Sequence, residues 1–342
     1  MELPKRVLVG NSVLLEISSF INNFGYNVVH IVTGPNVITK VKNPIENVLK
    51  DNCVKFYWSE IDAANMETVQ RIVSSKNDKV EIMIGLGGGK TVDVAKLVAF
   101  NTNLPYISIP TSASHDGISS PFASIKGTNR PYSIVTNSPL GIIADLDVIS
   151  SAPYRLLASG CGDLIGKITA VNDWEIEHFD KGAYFGKYAG SLARLSSNII
   201  MDEAKNIGLR KKDSVRDVVE ALISAGVAAG IAGSSRPCSG SEHLFAHALD
   251  FLGENNGLHG EKVGLGTILM AKLQGIDWEK IVKALENIHA PTSGKDIGLE
   301  DKKVVQAIML AKKIRPDRHT ILERIHLDEQ LAVKLARSTN VI

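Results

Sequence analysis

The stretch KVEIMIGLGGGK, residues 79–90, decides the fold of this chain of 342 residues. Its first part is a short apolar run rich in Val and Ile, which predicts a buried β-strand. Glycines follow the strand directly, and the apolar residues of 92–100 recur at helical spacing. A strand that passes through a glycine turn into a helix is typical of an α/β domain with a parallel sheet.

The same alternation of strand and helix extends to both sides of this unit. Strand-like runs occur at 6–9, 26–33, 54–58, 105–109 and 140–144. Helical spacing occurs at 12–24, where Ser12 is a candidate cap, and at 44–50 and 66–74. A hairpin formed by 122–125 and 132–135 is the one predicted departure from the alternation. The order predicts a doubly wound parallel sheet.

After about residue 150 the strand-like runs stop and helical periodicity dominates. The predicted helices are 153–178, 184–207, 213–233, 240–252, 260–274, 278–288 and 301–312. We therefore predict an α/β domain over 1–150, followed by an all-α domain over 151–342.

The composition is that of a globular protein, with 44% hydrophobic residues, 22% charged residues and a formal net charge of +1. This charge argues against a nucleic-acid partner, which usually requires a basic surface. The longest apolar stretch, 221–233, is shorter than the about 20 residues that span a bilayer, so we expect no membrane insertion. Three cysteines without paired spacing and the lack of an apolar leader predict a cytoplasmic location.

The glycine turn, residues 85–90, is the first feature that indicates a phosphate-binding site. Glycines let a phosphate approach the backbone, the helix N-terminus offers free N–H groups, and Lys90 adds a positive charge. The spacing matches neither the usual dinucleotide fingerprint nor the P-loop. A tight turn without a ligand is the alternative, but three successive glycines plus a lysine exceed what a turn needs.

A second polar stretch, PTSASHDGISS (110–120), leaves the end of the next predicted strand with five hydroxyls, one His and one Asp. In open α/β sheets, ligands bind at the carboxyl edge of the strands. The density of hydrogen-bonding groups favours a ligand over a solvated loop.

The helical half contains a candidate metal site. His243 and His247 share one helical face, His259 opens the next helix, and Asp163 lies in a glycine-rich entry to a helix. Two imidazoles and one carboxylate form an open site for Zn²⁺, and Fe²⁺ or Ni²⁺ can use the same ligands. Spacing alone does not choose between His243 and His247.

Together, these motifs resemble the dehydroquinate synthase-like, iron-containing alcohol dehydrogenase superfamily. The segments that carry the resemblance are GGGKTVDVAK (87–96), PTSASHDGISSP (110–121), SGCGDLIGK (159–167), GSEHLFAHALD (240–250) and HGEKVGLGT (259–267). The resemblance extends from about residue 5 to the C-terminus. TSASHDGISSP is its most specific part and is similar to the archaeal branch that forms sn-glycerol 1-phosphate from dihydroxyacetone phosphate.

The resemblance implies a role for each motif. One Zn²⁺ per subunit would be bound by Asp163, His243 and His259, while Asp116 and His247 would face the substrate and Asp163 would touch both. NADPH or NADH would occupy the α/β domain. The residues implied for the cofactor are Gly88, Gly89 and Lys90 at the pyrophosphate, Thr91 and Asp93 nearby at the helix start, and Thr111, Ser112, Ser114 and Ser120 at the nicotinamide.

The resemblance also implies a reaction. The metal would polarise the C2 carbonyl, the nicotinamide would deliver hydride to C2, and His247 would be a candidate proton donor. The product would supply the glycerophosphate backbone of archaeal membrane lipids, and the enzyme would be a homo-oligomer. Since no Asp or Glu follows the predicted strand 26–33, we expect NADPH to be accepted alongside NADH.

Three other functions compete with this one. A zinc-dependent glycerol dehydrogenase needs no phosphate-binding residues, for which Lys126, Arg130 and Arg236 are candidates here. A dehydroquinate synthase shares the cofactor and metal but eliminates phosphate. A non-catalytic dinucleotide-binding sensor would not need the metal ligands.

Overall fold

The computed structural model describes residues 3–125, 133–211 and 213–342. The chain folds into two compact units. The first comprises Met1–Ala113 and Gly117–Pro153, and the second comprises Ser114–Asp116 and Tyr154–Ile342. The candidate phosphate ligands Lys126 and Arg130, with the turn of the predicted hairpin, lie outside the described residues.

The first unit is built on a parallel sheet. Its strands are β1 (Arg6–Gly10), β2 (Val28–Thr33), β3 (Lys55–Glu60), β4 (Ile82–Gly87), β5 (Tyr106–Pro110), β6 (Phe122–Ser124), β7 (Ser133–Val135) and β8 (Gly141–Asp145). Six of them form one sheet in the order β1-β8-β5-β4-β2-β3, with every neighbouring pair parallel. β6 and β7 form the predicted antiparallel hairpin.

Helices cover both faces of the sheet. They are α1 (Ile17–Asn22), α2 (Pro35–Asp51), α3 (Met66–Ser75), α4 (Gly89–Asn101) and the short α5 (Leu146–Ser150). Side chains alternate along β4, so Ile82 and Ile84 pack into the core cluster of α1 and α2, while Met83 packs into that of α3 and α4. Apolar burial on both faces explains why this strand is a continuous apolar run.

The second unit is helical. Its helices are α6 (Tyr154–Ile165), α7 (Lys167–Lys181), α8 (Lys187–Gly208), α9 (Ser214–Ala232), α10 (Ser241–Phe251), α11 (His259–Gln274), α12 (Trp278–Asn287), α13 (Asp301–Ile314) and α14 (Glu329–Ser338). α11 is its centre, because every residue from Gly260 to Ala271 is buried. The described part of the chain holds no helix with the length and apolarity of a membrane span. The predicted fold class, a parallel α/β sheet followed by an all-α region, is confirmed.

Several local predictions were wrong for identifiable reasons. Ser12 caps no helix, because it adopts a left-handed conformation (φ 56°) before a 3₁₀ turn. α2 begins at Pro35, where proline fits the first helical position, and continues through Pro44. The predicted helix 153–178 is divided at Gly166, so Asp163 lies within α6 and not at a helix entry.

Candidate active site

The glycine turn and the first hydroxyls of the polar stretch lie side by side in the first unit. β4 ends at Gly87, Gly88 caps α4, and Gly89 is the first helical residue. The Thr111 N–H donates to the Gly87 carbonyl oxygen at 3.0 Å. A Cβ built on Gly88 would lie 3.4 Å from Ser112 Oγ, so the glycine turn and this hydroxyl are direct neighbours. The arrangement offers a phosphate the helix N-terminus together with nearby hydroxyls.

The end of β2 lies close to the start of α4. A Cβ built on Gly34 would lie 3.5 Å from Thr91 Oγ1, and Lys90 is exposed on the first turn of the helix. The residues after β2, Gly34–Asn36, include no carboxylate. A cofactor phosphate near this strand end therefore meets no negative side chain from this segment.

Asp93 is buried beside Lys96, a pairing that the sequence analysis does not predict. It is 5% exposed, and its Oδ2 accepts the Ser124 N–H at 3.2 Å. Its Oδ1 lies 3.7 Å from the Nζ of Lys96, which is 1% exposed. Lys96 also donates to the carbonyl oxygens of Gly117 and Phe122 at 2.8 and 2.7 Å. The pair therefore links the polar stretch to α4, and the spacing of Asp93 and Lys96 three residues apart, among the apolar residues of 92–99, was the available signal.

The two remaining predicted hydroxyls, Ser114 and Ser120, belong to different compact units of the chain. Ser120 is buried in the first unit, and its Oγ donates to the Phe122 carbonyl oxygen at 3.4 Å. Ser114 groups with Asp116 in the second unit. The structure thus brings Ser112 and Thr111 to the glycine turn, and the cofactor contacts of Ser114 and Ser120 stay predictions.

Asp163, His243 and His259 converge in the second unit. One ligand atom from each lies within 4.8 Å of the others. Asp163 Oδ1 is 3.3 Å from His243 Nε2 and 4.0 Å from His259 Nε2. Ligand atoms of a tetrahedral Zn²⁺ with bonds of ~2.0–2.2 Å lie roughly 3.3–3.6 Å apart. The Asp163–His243 pair has this separation and the Asp163–His259 pair is wider, so the donor set suits a divalent cation that draws His259 closer.

Glu242 orients the ring of His243 through a contact at Nδ1. Its Oε1 is 2.7 Å from His243 Nδ1, which leaves Nε2 for the cation. Glu242 is fully buried and also accepts the Thr169 hydroxyl and the Gly240 N–H, at 2.8 and 2.7 Å. Burial alone would raise the pKa of Glu242, but the hydrogen bond and charge of His243, together with the hydrogen bonds from Gly240 and Thr169, outweigh this and lower it. A carboxylate behind a metal-ligating histidine fixes the ring and increases its basicity.

Glu242→Gln is therefore expected to weaken Zn²⁺ binding by about 10- to 100-fold while the protein stays folded. The amide keeps the size of the side chain but loses the charge that supports His243. Competition with a chelator measures the affinity, and Glu220→Gln on the exposed face of α9 is the matched control. Equal Zn²⁺ affinity of the Glu242 variant and the wild type would show that the carboxylate does not support the ligand.

Lys167 contacts both carboxylates of the site, Asp116 and Asp163. Its side chain is fully buried, and its Nζ lies 2.7 Å from Asp116 Oδ2 and 3.0 Å from Asp163 Oδ1. The Asp116 N–H donates to Asp163 Oδ2 at 3.1 Å. Burial would raise the pKa of Asp163, but the charge of Lys167 and the hydrogen bond with His243 hold it well below its usual range. Asp163 is therefore ionised and ready to bind a cation.

His247 lies near His243 and His259 but is not one of the three predicted metal ligands. Its ring centroid is 6.2 Å from that of His243 and 6.0 Å from that of His259. Burial, the other two imidazoles and the charges of Arg318 and Arg315 hold the pKa of His247 well below its usual value. The imidazole is therefore neutral near pH 7 and can pass a proton only by regaining one at its other nitrogen.

Small residues bring α6 and α11 close enough to form the site. A Cβ on Gly260 would lie 1.8 Å from the Ser159 carbonyl oxygen, and a Cβ on Gly162 would lie 2.3 Å from the Gly260 carbonyl oxygen. Asp163 and His259 are the chain neighbours of these two glycines. The backbone contact therefore sets the separation of two of the three predicted ligands.

Comparison with known proteins places the chain among related sequences. The family model described as iron-containing alcohol dehydrogenase matches residues 8–153. The chain is 46% identical over its full length to a glycerol-1-phosphate dehydrogenase of Nitrosopumilus maritimus, covering 97% of that protein. It is 47% identical over its full length to a protein of the same name from Metallosphaera sedula, covering 98% of it. Glycerol dehydrogenase from Schizosaccharomyces pombe shares the fold, with a TM-score of 0.80 at 20% identity over 99% of this chain and 90% of the other.

Proposed function

The chain belongs to the glycerol-1-phosphate dehydrogenase family, and on this premise we propose that it reduces dihydroxyacetone phosphate to glycerol 1-phosphate with NADH or NADPH. Membership confirms the superfamily that the sequence motifs predicted. The convergence of Asp163, His243 and His259 beside Asp116 and His247 is the observation that supports the activity. The product fits a role in supplying the glycerophosphate backbone of archaeal membrane lipids.

Asp163, His243 and His259 would hold one Zn²⁺, and the glycine turn with Thr111 and Ser112 would hold the nicotinamide cofactor. When bound, the cation supplies Lewis-acid polarisation of a carbonyl, and the reduced nicotinamide supplies hydride. Glu242 contacts Nδ1 of His243 at 2.7 Å, so the ring is oriented before substrate arrives.

The chain's own residues then position the ketone and provide a proton. Lys167 holds the Asp116 carboxylate at 2.7 Å, so this acceptor is fixed for a hydroxyl of the substrate. His247 donates a proton to the oxygen at C2 and is reprotonated through its second nitrogen. The reaction consumes one reduced nicotinamide and one proton for each ketone reduced.

A substrate comparison tests the function. Zinc-loaded protein is mixed with NADPH, or with NADH, and either dihydroxyacetone phosphate or unphosphorylated dihydroxyacetone. We expect oxidation of both cofactors with the phosphorylated ketone and much slower turnover of dihydroxyacetone. A preference for dihydroxyacetone would instead assign a glycerol dehydrogenase, and nucleotide binding without turnover of either ketone would indicate a sensor.

The remaining predictions are part of the same proposal. Acceptance of NADPH is supported by the lack of a carboxylate in Gly34–Asn36, and a very large kinetic preference for NADH would contradict it. A cytoplasmic location is supported by three free cysteines, of which Cys161 and Cys238 are buried. A homo-oligomer is supported by exposed aromatic residues near α8, namely Phe179, Tyr184 and Tyr188.

A further inference from the structure

Three arginines, Arg236, Arg315 and Arg318, lie near one another in the second unit, and we call them the arginine cluster. Arg236 belongs to the loop between α9 and α10, whereas Arg315 and Arg318 follow α13. The mechanism above assigns none of them a role. Arg236 pairs with Glu177 and Arg315 pairs with Asp317, whereas Arg318 forms no ion pair with a carboxylate of the described residues.

Arg318 is a buried guanidinium without a carboxylate partner. It is 5% exposed, its Nη2 donates to Ser235 Oγ at 2.8 Å, and its Nη1 donates to the Ser239 carbonyl oxygen. Both acceptors are neutral, and no carboxylate of the described residues forms an ion pair with it within 4.0 Å. Burial, with the charges of Arg315 and Arg236, lowers the pKa of Arg318 to about 9. The charges of Glu242 and Asp317 act on Arg318 without forming an ion pair with it, so an anion bound directly at its guanidinium would stabilise this buried charge.

Arg236 has unused donors in the same place. It is 8% exposed, and its Nη2 donates to Glu177 Oε2 and to the His319 carbonyl oxygen. Its Nε and Nη1 are buried and have no hydrogen-bond partner among the described residues. A buried N–H group without an acceptor is unfavourable, and an anion with several oxygens can satisfy it.

The arginine cluster lies beside the candidate active site. Ser239, which binds Arg318, comes two residues before α10, the helix that presents His243 and His247. The charges of Arg318 and Arg315 also act on His247. An anion held by the cluster would thus lie within electrostatic range of the imidazole that the family resemblance assigns to the substrate.

We propose that the arginine cluster is the subsite for the phosphate group of the substrate, a phosphomonoester dianion. This inference rests on the proposed function for the identity of the substrate. Guanidinium groups bind phosphate through paired N–H donors, and removal from water strengthens the interaction. The same contacts would let inorganic phosphate occupy the subsite on its own.

The kinetic test uses zinc-loaded Arg318→Met with Arg216→Met, a change on the exposed face of α9, as control. We expect the ratio of kcat/KM for dihydroxyacetone phosphate to that for dihydroxyacetone to fall about 100-fold in the Arg318 variant. The Arg216 variant should keep the wild-type ratio. An unchanged ratio in a folded Arg318 variant would overturn the subsite.

A binding test does not depend on turnover. Calorimetric titration of the zinc-loaded protein with inorganic phosphate should show binding that Arg318→Met abolishes. Arg236→Lys, which keeps the charge beside Glu177 but removes the unused Nε and Nη1 donors, should weaken it about 10-fold. Equal phosphate affinity in wild type and Arg236→Lys would contradict the proposal even if Arg318→Met failed to fold. Inactivity of the wild type on dihydroxyacetone phosphate, with phosphate binding intact, would instead remove the proposed function alone.

Discussion

Gly260→Ala is expected to lower the free energy of unfolding by about 3 kcal/mol and to release bound Zn²⁺. The added Cβ would lie 1.8 Å from the Ser159 carbonyl oxygen, and a backbone atom cannot rotate away. α6 and α11 must therefore separate, which moves Asp163 away from His259. A loss of both stability and metal binding from one methyl group would show that close helix packing builds the site.

Urea denaturation and metal analysis of the purified variant measure these two effects. Gly264→Ala is the matched control on α11, because the nearest atom to its Cβ would be Leu285 Cδ2 at 3.6 Å, an ordinary contact. Alanine should stabilise that position by about 0.5–1 kcal/mol, since glycine is a poor helix former. Equal stability of the two variants would mean that the α6–α11 contact adjusts without cost.

Asp163→Asn is expected to reduce kcat/KM for dihydroxyacetone phosphate on the order of 10³-fold or more, with loss of Zn²⁺. The amide has the same shape but carries no charge, and neutral amides bind Zn²⁺ poorly. Lys167 would keep Asp116 as its remaining carboxylate partner, so the buried ammonium stays paired. The variant should therefore fold and retain the parallel sheet of the first unit.

Mass spectrometry of bound metal, together with steady-state rates, distinguishes a ligand from a structural acid. The control is Asp62→Asn, whose side chain is 93% exposed and whose loss should change neither quantity. If the Asp163 variant bound one Zn²⁺ per chain with wild-type affinity, Asp163 would not be a ligand.

Much of the fold was predictable because local patterns and burial agree. The apolar run of β4 followed by glycines predicted a strand, a tight turn and a helix, and all three are present. The predicted start of α2 at Pro44 is wrong, because the helix begins at Pro35 and Pro44 lies inside it. The need for glycine at position 166, where α6 meets α7, depends on a tertiary contact, since its Cβ would meet Val263 Cγ1 at 2.7 Å. No local pattern contains that information.

The candidate site was predictable in part. Histidines four residues apart placed His243 and His247 on one helix, but only the Glu242 contact at Nδ1 and the 3.3 Å approach to Asp163 distinguish His243. The roles of Asp163, His243 and His259 stay predictions until the metal is measured. Lys167 was missed because a buried charge is recognised by its partners, and Asp116 is distant in sequence.

The most direct test of the central claim is removal and restoration of the metal. The purified protein is treated with a chelator, and NADPH absorbance is followed with dihydroxyacetone phosphate before and after one equivalent of Zn²⁺ is added. We predict that the stripped protein is folded but inactive and that Zn²⁺ restores the oxidation of NADPH. Full activity of the metal-free protein would contradict a role for Asp163, His243 and His259 as ligands of a catalytic cation.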